Sequence, residues 1–306
     1  MKKRNLLVGA VALGAAVLGL ASCGSSEKEI TIYTRDTTSG TRDGFFTGIG
    51  LAEAKEDNSK IKDGAVEVAS NGDMINAIKN DENGIGYISL SSLADSNLKG
   101  LTYEGVVPNE SNVLNGTYKL TRNFNYCLRS EYSSTDNKSI VEAFVAYLQT
   151  SEGKATIKDH GGILTTSSQD QSWEKVKANY PIASQNNENI TIKVGGSTSV
   201  KGIVSQLLLE FSSKCGKFKY DYNPTGSGDA YKRTNGSEKD GTNACDLAFA
   251  SREFSSSEVM DQSIKGKMCI DAIVAVVNKN NSLEKVTVAQ LKSIYTGEVA
   301  KWSEVK

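Results

Sequence analysis

The stretch EITIYTRDTTSGTRDGFF (residues 29–46) contains a strand, a loop and a helix in immediate succession. Its first seven residues alternate between apolar and polar side chains, which predicts a β-strand ending near Arg35. A hydroxyl-rich loop follows, and Phe45 and Phe46 then lie in a predicted helix. The first N–H groups of a helix have no partner within it, and the helix dipole makes that end partly positive. The stretch therefore predicts an α/β unit whose loop is suited to an anion.

Two later loops share this design, because glycine and hydroxyl residues again stand between a predicted strand and a predicted helix. They are GGSTS (195–199) and TGSG (225–228). Glycine lets the backbone approach a ligand closely, although serine and threonine in such places also serve as plain helix caps. Three such loops, one of them with arginine, favour an oxyanion cradle. The spacing matches neither a nucleotide phosphate loop nor a dinucleotide fingerprint.

Strands alternate with helices along the whole chain, which predicts α/β domains with mainly parallel sheets. The 306 residues suffice for two domains, and a polar stretch with turn signals (181–190) lies between two sets of α/β units.

The first residues are typical of a targeting segment. Basic residues precede an apolar run that is short for a membrane span, and LASC (20–23) resembles a bacterial lipobox. That resemblance implies cleavage before Cys23 and a lipid on its sulfur; the alternative is an ordinary secretory signal with a chance cysteine. We predict a signal peptide over residues 1–22, a lipidated cysteine and tether over 23–27, and a location on the outer face of the cytoplasmic membrane.

Charge and cysteine content restrict the function. Without residues 1–22 the chain has 32 basic and 36 acidic residues, a net charge of −4, which argues against nucleic-acid binding. The single histidine, His160, argues against a His-dependent triad, and no cysteine spacing indicates a metal site, so we predict no metal or cofactor. Four cysteines follow Cys23; two disulfides in any of three pairings and buried free thiols both remain open.

Seven motifs together resemble the phosphate-binding PstS family of ABC-transporter proteins. They are TRDTTSGTRDGF, NGIGYISL, VGGSTSV, NPTGSGDAYK, DLAFASRE, IDAIVAVVN and LKSIYTGEVAKWSEV. The resemblance covers almost all of the chain beyond residue 27. It implies a type II periplasmic-binding-protein fold, in which two α/β domains and two hinge strands enclose phosphate in a cleft. It also implies a monomer that delivers phosphate to a membrane permease and is not an enzyme.

The resemblance carries over ligands where the motifs match. The GGSTS loop supplies Thr198 and Ser199, and the GSG loop supplies Ser227. The opening motif supplies Arg35, Ser39, Gly40 and Thr41, with Arg35 neutralising charge; Arg42 is a weaker candidate whose alternative role is structural.

One position departs from the pattern of some family members. The loop in which they carry a proton-accepting aspartate reads Ala250-Ser251-Arg252 here. We therefore include Arg252 among the predicted site residues, but not as a proton acceptor. Asp271 is the candidate replacement acceptor, and its alternative role is that of an ion-pair partner for Arg252.

The motif order also departs from the usual one, because the motifs that ordinarily end the chain come first here. The simplest interpretation is a circular permutation; a truncated fusion of two partial copies with distant ends is the alternative. The permuted order predicts a continuous domain over residues 87–277 and a split domain over 28–86 plus 278–306, with neighbouring ends.

Two other functions remain open at this stage. The chain could bind another oxyanion, such as sulfate or molybdate. It could also be a phosphate-ester hydrolase with Ser39 as nucleophile, although the sequence shows no histidine partner for that serine.

Overall fold

A computed structural model describes residues 28–305, so the predicted signal peptide and Cys23 lie outside the described residues. The strands are β1 (Thr31–Arg35), β2 (Val66–Val68), β3 (Gly84–Ser89), β4 (Lys99–Gly100), β5 (Thr102–Tyr103), β6 (Thr121–Leu128), β7 (Thr191–Gly196), β8 (Lys219–Pro224), β9 (Leu247–Ala250), β10 (Lys265–Val277) and β11 (Lys285–Val286). The helices are α1 (Gly40–Gly48), α2 (Asn71–Lys79), α3 (Glu110–Leu114), α4 (Thr135–Leu148), α5 (Ser151–Asp159), α6 (Trp173–Val176), α7 (Lys201–Lys214), α8 (Gly228–Thr234) and α9 (Val288–Thr296). None of the helices in this range is long and apolar enough to cross a membrane.

Nine strands form one curled sheet in the order β2-β1-β3-β10-β6-β9-β7-β8, with β4 beside β10, while β5 and β11 pair separately. The outer pairs of β1 with β2 and β3, and of β7 with β8 and β9, are parallel, as the βα alternation predicts. The centre differs, because β10 runs antiparallel to both β3 and β6. Because the long strands β6 and β10 run in opposite directions, the centre of the sheet is antiparallel, unlike the mainly parallel sheets predicted from the sequence.

Strand β10 joins the two halves of the sheet. Its first part, up to Ala272, pairs with β6, and its last part, from Ile273, pairs with β3. The central strand thus changes neighbours between residues 272 and 273. Both faces of β10 are buried in its second half, which explains why the residues there are almost all apolar.

Two large apolar cores divide the chain into lobes. One core contains Phe144, Tyr147 and Phe211 and is built from residues between 124 and 269. The other contains Phe45 and is built from residues 30–120 and 272–295, with Ile163 as an addition. We call residues 121–271 the continuous lobe and residues 28–120 with 272–305 the split lobe.

This division differs from the boundaries predicted at residues 86/87 and 277/278. Tyr87 stacks on Phe45 with ring centroids 4.0 Å apart, and β3 lies wholly within the split lobe between β1 and β10. The chain passes between the cores near Arg122 and Asp271 instead. The sequence indicates where strands occur, but it does not indicate which strand crosses between lobes.

The two ends of the described chain lie together in the split lobe. Ile30 N donates to Ala300 O at 2.8 Å, and Trp302 N donates to Lys28 O at 3.2 Å. Such neighbouring ends fit the predicted permutation and disagree with the alternative of a truncated fusion with distant ends.

Cys127, Cys215, Cys245 and Cys269 are all free and buried. Burial raises the pKa of Cys127 and Cys215 to about 12 and the pKa of Cys245 to about 11. Thiolates are the reactive species, so these thiols are chemically protected in the folded state.

We expect a protein comprising residues 24–306 to show no thiol that reacts with a thiol-specific reagent under native conditions. In denaturant without reductant all four thiols should react, and added reductant should leave the melting temperature unchanged. Two or fewer reactive thiols in denaturant would instead reveal disulfides.

Candidate anion-binding site

Polar side chains from both lobes meet where the two crossing strands pass each other. Most of them stand at the ends of strands or the starts of helices, and all are buried. The split lobe contributes Arg35, Thr41, Asn71 and Ser89; the continuous lobe contributes Ser197, Ser199, Ser227 and Ser251; the crossing strands contribute Arg122 and Asp271. We call this set the interlobe cluster.

Ser199 is the first centre of the cluster. Its Oγ lies 2.9 Å from Thr41 Oγ1 and accepts hydrogen bonds from Asn71 Nδ2 at 3.0 Å and Arg122 Nη2 at 3.1 Å. One hydroxyl therefore links the continuous lobe directly to two elements of the split lobe. The predicted residues Thr41 and Ser199, which are 158 positions apart, are brought into contact.

Ser251 is the second centre. Its Oγ lies 2.9 Å from both Ser197 Oγ and Ser227 Oγ, and it accepts from Arg122 Nη1 at 3.2 Å. A Cβ added at Gly40 would lie 2.6 Å from Ser251 Oγ and 2.7 Å from Ser227 Oγ. The start of α1 approaches the continuous lobe this closely because residue 40 has no side chain.

Helix capping explains the geometry of the loops. Ser39 Oγ accepts from the backbone N–H of Thr41 at 3.2 Å and of Arg42 at 3.4 Å. Ser197 Oγ accepts similarly from Ser199 N at 3.1 Å. Ser39 therefore caps α1, and this capping directs the start of α1 toward the cluster; its predicted contact with phosphate stays a prediction.

Arg35 ends β1 and is only 1% exposed. Its Nη2 donates to Ala69 O at 2.8 Å and to Thr198 Oγ1 at 3.4 Å, and its Nε donates to Val68 O at 3.2 Å. Within residues 28–305, its buried Nη1 has no hydrogen-bond partner. Burial lowers the pKa of Arg35, while the charge of Asp36 opposes this shift. The Nη1 nitrogen of the guanidinium is therefore available to donate to a further group.

Arg122 and Asp271 form a buried ion pair directly across β6 and β10. Arg122 Nε and Nη2 donate to Asp271 Oδ2 at 3.0 and 2.9 Å, and Ser89 Oγ donates to Asp271 Oδ1 at 2.7 Å. Burial raises the pKa of Asp271, and the charge of Arg122 opposes that shift. Arg122 is a residue of the cluster that sequence analysis missed. The sequence shows only an arginine near the start of a strand-like segment, TRNFNYCL, and its partner depends on the strand register.

The structure places two other arginines outside the cluster. Arg252, a predicted site residue, pairs through Nη1 and Nη2 with Glu258 at 2.7 and 2.8 Å. Its predicted alternative partner, Asp271, is held by Arg122. Arg42 is buried and donates to Arg35 O at 2.7 Å and Ala54 O at 2.6 Å, which is the structural role.

Comparison with known proteins agrees with this architecture. A PBP superfamily domain matches residues 166–306. The chain is 27% identical to phosphate-binding protein PstS 2 of Streptococcus pneumoniae, with both proteins covered completely. It is 26% identical to PstS 2 of Streptococcus agalactiae, covering 100% of this chain and 99% of the other. A crystal structure of a phosphate-binding protein of a phosphate ABC transporter from S. pneumoniae aligns with a TM-score of 0.63 at 25% identity, covering 91% of this chain and all of the other.

The fold and these matches define a substrate-binding protein of the PBP superfamily, with the type II fold that the motifs imply. Within that class, the two PstS 2 relatives and the aligned phosphate-binding protein support the resemblance to the PstS family. The matched relatives are phosphate-binding proteins, one of them from an ABC transporter, which agrees with the prediction that the chain is not an enzyme. The alignments do not confirm the permuted motif order, which stays a prediction.

We expect Arg122→Met to lower the free energy of unfolding by about 3–5 kcal/mol, because it leaves the Asp271 carboxylate buried without its partner. The raised pKa of Asp271 means that the folded variant binds more protons than the unfolded chain, so its stability should fall as pH rises from 4 to 8. Chemical denaturation across this range measures both effects. The double variant Arg122→Met/Asp271→Leu is the control and should recover much of the loss; a double variant as unstable as the single one would contradict the pairing.

Proposed function

We propose that this chain binds inorganic phosphate in the interlobe cluster and delivers it to an ABC-transporter permease. The observation that carries the proposal is the donor composition of the cluster. The fully buried charges of the cluster are two guanidinium groups, Arg35 and Arg122, and one carboxylate, Asp271, which leaves an excess of one positive charge. Asp36, which lies 3.4 Å from Arg35 Nη2, is partly exposed, so solvent screens its negative charge. The PstS 2 names of the streptococcal relatives support phosphate as the anion.

The contacts between lobes suit capture of a small tetrahedral anion. The hydroxyls of Thr41 and Ser199, which now bond to each other, can donate to phosphate oxygens. The Nη1 of Arg35 and the backbone N–H of Gly40, the first residue of α1, add donors from the split lobe, and Ser227 adds a hydroxyl from the continuous lobe. Donors from both lobes on one anion would hold the lobes together, as in hinged domain closure.

Delivery requires that the protein stays near the membrane. We propose that a lipid on Cys23 anchors it to the outer face of the cytoplasmic membrane and that it acts as a monomer. The lipobox-like sequence supports the anchor. The closed form, in which both lobes contact the anion, is the form that a permease would recognise.

The main alternative within the same class is another oxyanion, such as sulfate or molybdate, because hydroxyl and guanidinium donors serve any of them. Phosphate-ester hydrolysis lacks support from the site. The Ser39 hydroxyl, its nominal nucleophile, caps α1 by accepting two backbone N–H groups.

We expect residues 24–306 to bind one phosphate per chain in competition calorimetry, with arsenate as an effective competitor and sulfate as a poor one. Tighter binding of sulfate or molybdate than of phosphate would contradict the proposal. Release of the alcohol from a chromogenic phosphate ester would restore the hydrolase alternative.

We expect Gly40→Ala to weaken phosphate binding by about tenfold to a hundredfold, because the added methyl would overpack the contact with Ser251 and Ser227. Gly202→Ala is the matched control, since a Cβ at that position meets nothing within 4 Å. Calorimetry on both variants measures the difference. Equal affinities would show that the start of α1 does not contact the anion.

A further inference from the structure

Asn71 is the first residue of α2 and is 3% exposed. Its Nδ2 donates to Ser199 Oγ at 3.0 Å, which places the amide group against the first centre of the interlobe cluster. Its Oδ1 is buried and has no hydrogen-bond partner within the described residues. A buried acceptor left unpaired is unfavourable, and such a group beside a ligand site indicates that a ligand supplies the missing donor.

The rest of the cluster offers mainly donors. The guanidinium groups of Arg35 and Arg122 carry only donors. The carboxylate of Asp271, the acceptor predicted from the sequence, already accepts from Ser89 at one oxygen and twice from Arg122 at the other. Asn71 Oδ1 is therefore an acceptor at the cluster that stands ready for a donor from the ligand.

Tetrahedral oxyanions differ in whether they bring such a donor. Near neutral pH phosphate and arsenate carry at least one O–H group, whereas sulfate carries none. We propose that Asn71 Oδ1 accepts the O–H of hydrogenphosphate and thereby selects protonated oxyanions over sulfate. This inference rests on the proposed function and adds a specificity-determining residue to it. An unprotonated anion would leave Asn71 Oδ1 without a hydrogen bond and place it beside a negatively charged oxygen of the anion. This unfavourable contact would produce the selectivity.

The surrounding contacts hold the amide in place. Ser70 Oγ accepts from Asp73 N at 3.0 Å, which fixes the first turn of α2. Arg35 donates to the carbonyls of Val68 and Ala69, directly before that turn. The segment that carries the acceptor is thus bound to the guanidinium that supplies positive charge. Because the amide is neutral, it can accept a hydrogen bond from the O–H of hydrogenphosphate without placing a further negative charge next to the dianion.

The test compares dissociation constants for phosphate, arsenate and sulfate at pH 8 and constant ionic strength, using residues 24–306. For Asn71→Ala we expect phosphate and arsenate to bind more weakly by the same factor, about tenfold or more, while sulfate changes by less than about twofold. The phosphate-to-sulfate ratio should therefore fall by about tenfold. Equal weakening of all three anions would overturn the inference, because Asn71 would then only position Ser199.

Asn71→Asp keeps the shape and the acceptor while adding charge. We expect it to weaken sulfate more than phosphate, so that the phosphate-to-sulfate ratio is at least that of the unaltered protein. A ratio that falls in this variant would also overturn the inference. This second variant keeps the test decisive if Asn71→Ala does not fold.

Asn187→Ala is the matched control, because Asn187 is 1% exposed and its Oδ1 is also unpaired among the described residues. It lies in the continuous lobe, where its Nδ2 donates to Ile182 O and Cys215 O. It should change the melting temperature but not the ratio. If the unaltered protein binds phosphate but does not select against sulfate, the proposed role of Asn71 is wrong. If it binds no phosphate, the proposed function itself is wrong.

Discussion

The buried ion pair between Arg122 and Asp271 is the interaction on which the arrangement of the lobes depends. It lies across β6 and β10, at the point where both strands leave one core and enter the other. A buried charge without its partner is strongly unfavourable, so this pair favours one register of the crossing strands. The other two guanidinium contacts of Arg122 reach Ser199 and Ser251, the two centres of the cluster.

The lobes meet through short polar contacts around this pair. The loops that follow β1, β7 and β8 lead into helices near one edge of the sheet, so the hydroxyls of Thr41, Ser199 and Ser227 lie close together. Gly40 lets one of these helix starts approach the opposite lobe. Phosphate binding as proposed would use donors from both lobes, so a small change in lobe packing should alter affinity without altering any donor.

Local features of the site could be predicted from sequence, and distant ones could not. The loops around Ser39, Ser199 and Ser227 were found because glycine, hydroxyl and helix-start signals occupy neighbouring positions. Sequence analysis left Arg122 out of the predicted site and included Arg252 for the same reason. The partners of an ion pair depend on the strand register and on the path of the loops, which the sequence does not show. The lobe boundaries were displaced for a related reason, because a buried strand has the same apolar pattern whether it stays in one lobe or crosses between two.

The sequence by itself was enough to predict the α/β class, the three glycine- and hydroxyl-rich loops and the resemblance to a family, since each depends on short, contiguous patterns. Only the tertiary structure decided which strands cross between lobes, that Asp271 pairs with Arg122, and that Asn71 stands against Ser199. The physical reason is that hydrogen bonds and ion pairs form between groups a few ångströms apart, here 128 and 149 positions apart in the chain. Folding alone brings such groups together.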